Sequence, residues 1–177
     1  MAKAPPILGF TSYGSGSGKT TLLTKLIPEL VAQGFRVSVI KHAHHRFDID
    51  HPGKDSYLLR KAGAVQTLVA SGERWAMMTE LNQIKDHTES EPVFAELMQQ
   101  IDPRLVDVIL VEGFKDEPIS KIEVHRPSLK MPILAKHDAN IIAIASDENI
   151  EATLPLLNLN NIIEITQFIM QWLAKQP

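Results

Sequence analysis

The chain has 177 residues, 44% hydrophobic and 22% charged, with 21 acidic against 18 basic side chains and a formal charge of −3. These are values of a globular protein with no basic footprint for nucleic acid, and the complete lack of cysteine excludes disulfides and thiolate metal sites and fits a reducing compartment. The opening MAKAPPILGF carries no signal-peptide stretch and no apolar run reaches bilayer-spanning length, so the expectation is one cytoplasmic domain over residues 1–177, with no membrane partner.

Ile7 to Thr11 reads as a short buried strand. From Lys19 onward, Leu22, Leu23, Leu26, Ile27, Leu30 and Val31 fall on one helical face, with Gly34 as a stop and Pro28 as a candidate kink. Arg36 to Ile40 is expected as a second strand, and Lys54 to Ala62 as a short helix ended by Gly63. Val65 to Ala70 and Trp75 to Thr79 flank Ser71-Gly72-Glu73 and predict a hairpin. Val93, Phe94, Leu97, Met98 and Ile101 trace a further amphipathic helix. Val106 to Val111, Ile119 to Val124 and Ile141 to Ala145 are strand candidates, and a last helix is expected from Thr166. Strands alternating with helical segments predict an α/β fold, a mostly parallel sheet flanked by helices with an added antiparallel hairpin.

The stretch YGSGSGKTTLL, Tyr13 to Leu23, lies between the first expected strand and helix. That context makes it a phosphate-binding loop. Gly14, Ser15, Gly16, Ser17 and Gly18 let backbone N–H groups turn toward one centre, and the helix start adds its unpaired amides. Lys19 would reach the outer phosphates, the Thr20 hydroxyl would ligate Mg²⁺, and Thr21 would meet the α-phosphate. Tyr13 stands where the usual pattern has its first glycine; Gly14 and Gly16 are expected to preserve the cradle. Glu112 ends the most apolar strand, LVDVILVEGF, on the edge where parallel sheets bind ligands, placed to hold Mg²⁺ or orient water. Asp107, at that strand's start, is expected to be a surface or cap residue.

KHAHHRFDIDHPGKDS, Lys41 to Ser56, holds His42, His44, His45, His51, Asp48, Asp50 and Asp55. One reading is a transition-metal site. The favoured one is a switch loop on the nucleotide side, with Asp48 or Asp50 touching Mg²⁺ through water and the basic groups facing phosphates or another anionic ligand; a solvated loop is the third.

GSGSGKTTLL, IKHAHHRFDIDHPGKDSYLLRKAGA, VASGERWAMMTE and ILVEGFK together resemble the MobB family, GTP-binding accessory proteins of molybdopterin guanine dinucleotide biosynthesis. The resemblance runs to Lys115. It implies a three-layer P-loop NTPase fold, GTP bound with Mg²⁺, weak hydrolysis, and a homodimer in which a sheet extends between subunits. It also implies assistance to a partner enzyme, MobA, that joins a guanylyl group to molybdopterin. The family's loop falls on Gly14 to Thr21 and its strand-end acid on Glu112, which makes Lys19 and Glu112 the candidate catalytic pair. The N-K-x-D guanine motif is absent; Asp147, closing IIAIASD, is the candidate base reader, with turn capping as its alternative. Two further likenesses stay open: VEGF after an apolar strand is similar to dethiobiotin synthetase-like ATP enzymes, and the histidines to nickel-insertion GTPases.

Overall fold

Residues 4–43, 47–84 and 91–176 are described by a computed structural model of the chain. In chain order the strands are β1 Ile7–Thr11, β2 Val37–Lys41, β3 Gln66–Ala70, β4 Trp75–Thr79, β5 Val108–Glu112, β6 Lys121–His125, β7 Ile141–Ser146 and β8 Leu156–Asn158. The helices are α1 Lys19–Ala32, α2 Asp55–Lys61, α3 Phe94–Met98 and α4 Ile162–Leu173. Contacts group the chain into two compact units, Met1–His42 with Phe94–Pro177, and Ala43–Val93.

The first unit is built on a six-stranded sheet in the order β2-β5-β1-β6-β7-β8, with every neighbouring pair parallel. The chain leaves β1 through α1 toward β2 on one flank, where β5 later inserts between them, and β6, β7 and β8 fill the other. Strand order therefore reverses at β1, which leaves a crevice beyond its C-terminal end. Alternate residues of β5 feed two apolar clusters. Val108 and Leu110 pack with Leu22, Leu26 and Leu30 of α1 and Ile165 and Ile169 of α4, whereas Ile109 and Val111 pack with Phe94 and Phe114. Burial on both sides explains why this strand reads as one continuous apolar run.

On β6 the alternation is apolar against polar. Ile122 and Val124 join the larger cluster, and Lys121, Glu123 and His125 are buried on the opposite side. Lys121 Nζ pairs with Asp138 at 2.7 Å and donates to the carbonyls of Lys115 and Glu117. The Glu123 carboxylate accepts from the amides of Leu134 and Ala135, each at 2.8 Å. Each buried charge thus has close partners, as burial demands.

Helix ends follow local chemistry. Gly34 donates to the Val31 carbonyl at 2.9 Å and Phe35 to that of Leu30 at 3.1 Å, the paired bonds of a Schellman closure. Pro28 lies within α1, which runs on to Ala32. The last helix starts at Ile162, ahead of the expected Thr166, because the Asn161 side chain accepts from the Glu164 amide and caps it. β8 has no counterpart among the expected strands: its three residues follow Pro155, whose carbonyl accepts from Ile144 at 2.9 Å.

The second unit holds α2 and the hairpin. β3 and β4 form their own antiparallel ribbon, with Leu68 opposite Met77 and Ala70 opposite Trp75. The turn is closed by Ser71, which donates its amide to the Arg74 carbonyl at 2.8 Å.

Candidate functional site

The loop from Ser12 to Gly18 links β1 directly to α1, so the helix N-terminus opens at the crevice. Gly18 has φ of +96° and Gly16 of +76°, a region that side-chain-bearing residues avoid. At Gly18 a Cβ would also stand 3.2 Å from Arg126 Nη2. Tyr13 is exposed and leaves this geometry intact. Lys19 turns back over the loop: its ammonium donates to Ser12 Oγ, to the Gly14 carbonyl at 3.2 Å and to Ser17 Oγ at 3.4 Å. Burial lowers the Lys19 pKa, with Glu112 opposing that shift and Lys41 adding to it. An ammonium so placed, beside the N-terminus of a 14-residue helix, suits an anion of high charge such as a phosphate chain.

Thr20 and Glu112 are 92 residues apart in the chain, yet the Thr20 hydroxyl donates to Glu112 Oε1 at 2.7 Å. Register brings them together: β1 lies beside β5, with Phe10 opposite Glu112. Lys41, on the other side, is Glu112's register partner in β2. Its Nζ lies 3.0 Å from Glu112 Oε1 and 3.1 Å from Thr20 Oγ1. A hydroxyl and a carboxylate are hard oxygen donors and fit Mg²⁺, which takes one or two such groups from protein and completes its shell from phosphate and water. Among the described residues no group of three His, Cys, Asp or Glu side chains is gathered to hold a metal.

β6 closes the site from the other flank. Arg126, the residue after this strand, donates from Nε to the Ser17 carbonyl at 2.9 Å and from Nη1 to Asp147 Oδ2. Asp147 Oδ1 is buried without a hydrogen-bond partner. A small cavity beside the loop is lined by Ser12, Tyr13, Ser17, His125, Arg126 and Met131 among others.

The structure therefore gathers Gly14 to Thr21 with Glu112, and links Asp147 to the loop through Arg126. Asp50 belongs to the second unit. There the Arg60 guanidinium holds it at 2.6 and 3.2 Å, along with Asp48 at 2.7 Å and Glu80 at 2.9 Å. The hydrogen bond from Arg60 lowers the Asp50 pKa, and its acidic partners raise that of Arg60. His44 and His45 lie outside the described residues. Sequence reasoning did not single out Lys41, which it held only among the basic groups of the Lys41 to Ser56 segment, and it passed over Arg126. The available signal was position: each sits at or just after the C-terminal end of a parallel strand, the edge on which the loop opens.

The family model described as molybdopterin guanine dinucleotide synthesis protein B, MobB, matches residues 7–147. A molybdopterin-guanine dinucleotide biosynthesis adapter protein of Haemophilus influenzae is 48% identical over 169 residues, covering 95% of this chain and 89% of the relative. One of Escherichia coli is 47% identical over 172 residues, covering 97% and 95% respectively. The crystal structure of a MobB protein homolog from Bacillus stearothermophilus superposes with a TM-score of 0.70 at 24% identity, over 96% of this chain and 99% of that one. This last likeness concerns the fold.

Proposed function

This chain belongs to the MobB family, and from that premise we propose that it is an adaptor of molybdopterin-guanine dinucleotide biosynthesis that works by binding GTP with Mg²⁺. The observation that carries the nucleotide reading is the Thr20–Glu112 hydrogen bond at the mouth of the loop. Gly14 to Gly18 would cradle the phosphates, Lys19 would meet the outer ones, and Thr21 the innermost. Thr20 and Glu112 would hold Mg²⁺, which supplies charge neutralisation for the phosphates. Asp147 would read guanine N1 and N2 through its unpartnered oxygen, held in place by Arg126. The Arg60 pairing favours a structural role for Asp50 over a metal-binding one.

In this reading the chain presents GTP or the pterin to the guanylyl-transferring enzyme MobA, and hydrolysis is slow and secondary. The test is a guanylyl-transfer assay with MobA, alongside single-turnover GTP hydrolysis with and without it. Improved transfer with unchanged hydrolysis supports the adaptor. Strong stimulation of hydrolysis by MobA would make the chain a GTPase, and transfer indifferent to its presence would refute the proposal. Preference for ATP over GTP in equilibrium binding would remove the guanine assignment.

The hairpin supports a further part of the proposal, a homodimer. Leu68, Trp75 and Met77 lie on one side of the ribbon and are all exposed. A two-stranded ribbon also offers unpaired edges to a second copy. Sedimentation equilibrium at micromolar concentration should show a dimer that Leu68→Glu with Met77→Glu dissociates. A monomer unaffected by those changes would overturn it.

A further inference from the structure

Lys41 is an unusual neighbour for a metal position. Its ammonium bonds the same two oxygens, Thr20 Oγ1 at 3.1 Å and Glu112 Oε1 at 3.0 Å, that the nucleotide reading assigns to Mg²⁺. Thr20 gives its hydroxyl proton to Glu112, and the ammonium sits against both of these oxygens, so a metal arriving at them meets its charge at close range. A lysine and a divalent cation compete for them directly, and at contact distance like charges repel strongly. We infer that Lys41 is an internal counter-cation: it holds Thr20 and Glu112 together, and it is displaced from them when Mg²⁺ enters.

Two properties suit Lys41 to this exchange. Lysine is a point charge on a flexible stem, so it releases one partner without a fixed fork to break. Its side chain is also half exposed, whereas that of Glu112 is only 11% exposed. The carboxylate is therefore fixed and the cation is the movable part. A triphosphate arriving at the loop gives the displaced ammonium a new anionic partner, so metal entry and nucleotide arrival become coupled. Lys41 is the last residue of β2, and its release would also loosen that strand end from the loop.

This inference rests on the nucleotide reading, and its test separates the two. A fluorescent non-hydrolysable GTP analogue is held at fixed concentration with the full chain, and Mg²⁺ is titrated. The readout is the Mg²⁺ concentration giving half-maximal analogue binding. Lys41→Met, which keeps length and removes charge, should lower that midpoint about three- to tenfold, the range expected for loss of a partly exposed competing ion pair. Lys41→Arg, which keeps the charge, should stay within about twofold of wild type on the same scale. Thermal melting of each variant checks that the fold is retained. A Lys41→Met midpoint equal to or above wild type overturns the inference while leaving nucleotide binding intact. Failure of the wild-type chain to bind the analogue at any Mg²⁺ concentration overturns both.

Discussion

β2 and β5 are register partners along their length, and an ion pair closes each end of that strand pair. At the N-terminal end Arg36 meets Asp107; at the C-terminal end Lys41 meets Glu112. The two differ in how completely they are satisfied. Arg36 gives Asp107 its Nε, its Nη2 and its backbone amide, at 2.7 to 2.9 Å, and spends Nη1 on the Arg104 carbonyl. Asp107 in turn donates its own amide to the Arg36 carbonyl. Such a bidentate pair is a clasp. Lys41 instead touches Glu112 through one nitrogen and shares it with Thr20, from a third element. One sheet thus carries a closed edge that only holds strands and an edge whose charges exchange partners.

The largest expected effect breaks the exchangeable edge at its centre. Lys19→Ala removes the ammonium that lies over the loop. It should weaken GTP-analogue binding by about a hundredfold or more, the loss of charge-assisted hydrogen bonds to phosphate in a partly buried site. Equilibrium titration measures this, with circular dichroism confirming the fold. Wild-type affinity in a folded variant would remove the loop from the nucleotide site.

Gly113→Ala strikes the backbone that aims this edge. Gly113 has φ of +94°, and an added Cβ would lie 2.7 Å from that of His42. Strain and overlap together should cost about 2 kcal/mol or more of stability. Denaturant unfolding reports it, and an unchanged midpoint would show that the strand end adjusts freely. Glu112→Gln has a smaller expected effect and a more selective one. It keeps an acceptor for Thr20 and removes the charge, so Mg²⁺-dependent hydrolysis should fall about tenfold while nucleotide binding changes less. Equal hydrolysis rates would return Glu112 to a structural role.

The two edges were not equally legible in the sequence. The apolar runs announced most of the strands, because burial on both sides leaves little room for polar residues. The glycine loop before a leucine-rich helix announced the strand–loop–helix turn, and the position of Glu112 followed from its place at a strand end. Lys41 and Arg126 were hidden because their meaning depends on β2 lying beside β5 and β6 beside β1, and strand order is not written locally. The grip of Arg60 on Asp50 was hidden for a different reason: it joins a loop to α2 across ten residues, a pairing that no hydrophobic period marks. β8 was too short to show a period, and the start of α4 was signalled only by Asn161 and Glu164, a cap pattern easily lost among neighbouring asparagines.

Asp107→Asn tests the closed edge, and its effect should be the smallest. Hydrogen bonds from Arg36 pull the Asp107 pKa from 3.8 down to about 2. A depressed carboxylate pKa stabilises the fold fully above the unfolded value and loses that contribution as pH falls through the folded one. Wild type should therefore exceed Asp107→Asn in stability at neutral pH, and the gap should shrink between pH 3.8 and about 2. Both partners are substantially solvent-exposed, so water and salt screen the pair, and the neutral-pH difference should be about 2 °C or less in melting temperature. Nucleotide affinity should not change, since the pair sits at the opposite strand ends from the loop. Thermal melts of both proteins from pH 7 to pH 2, with an analogue titration at pH 7, make the check. A gap that persists at the lowest pH would mean that the asparagine disturbs packing. A loss of affinity would mean that the two edges are coupled through β2 and β5, and the clasp would then belong to the site it holds at a distance.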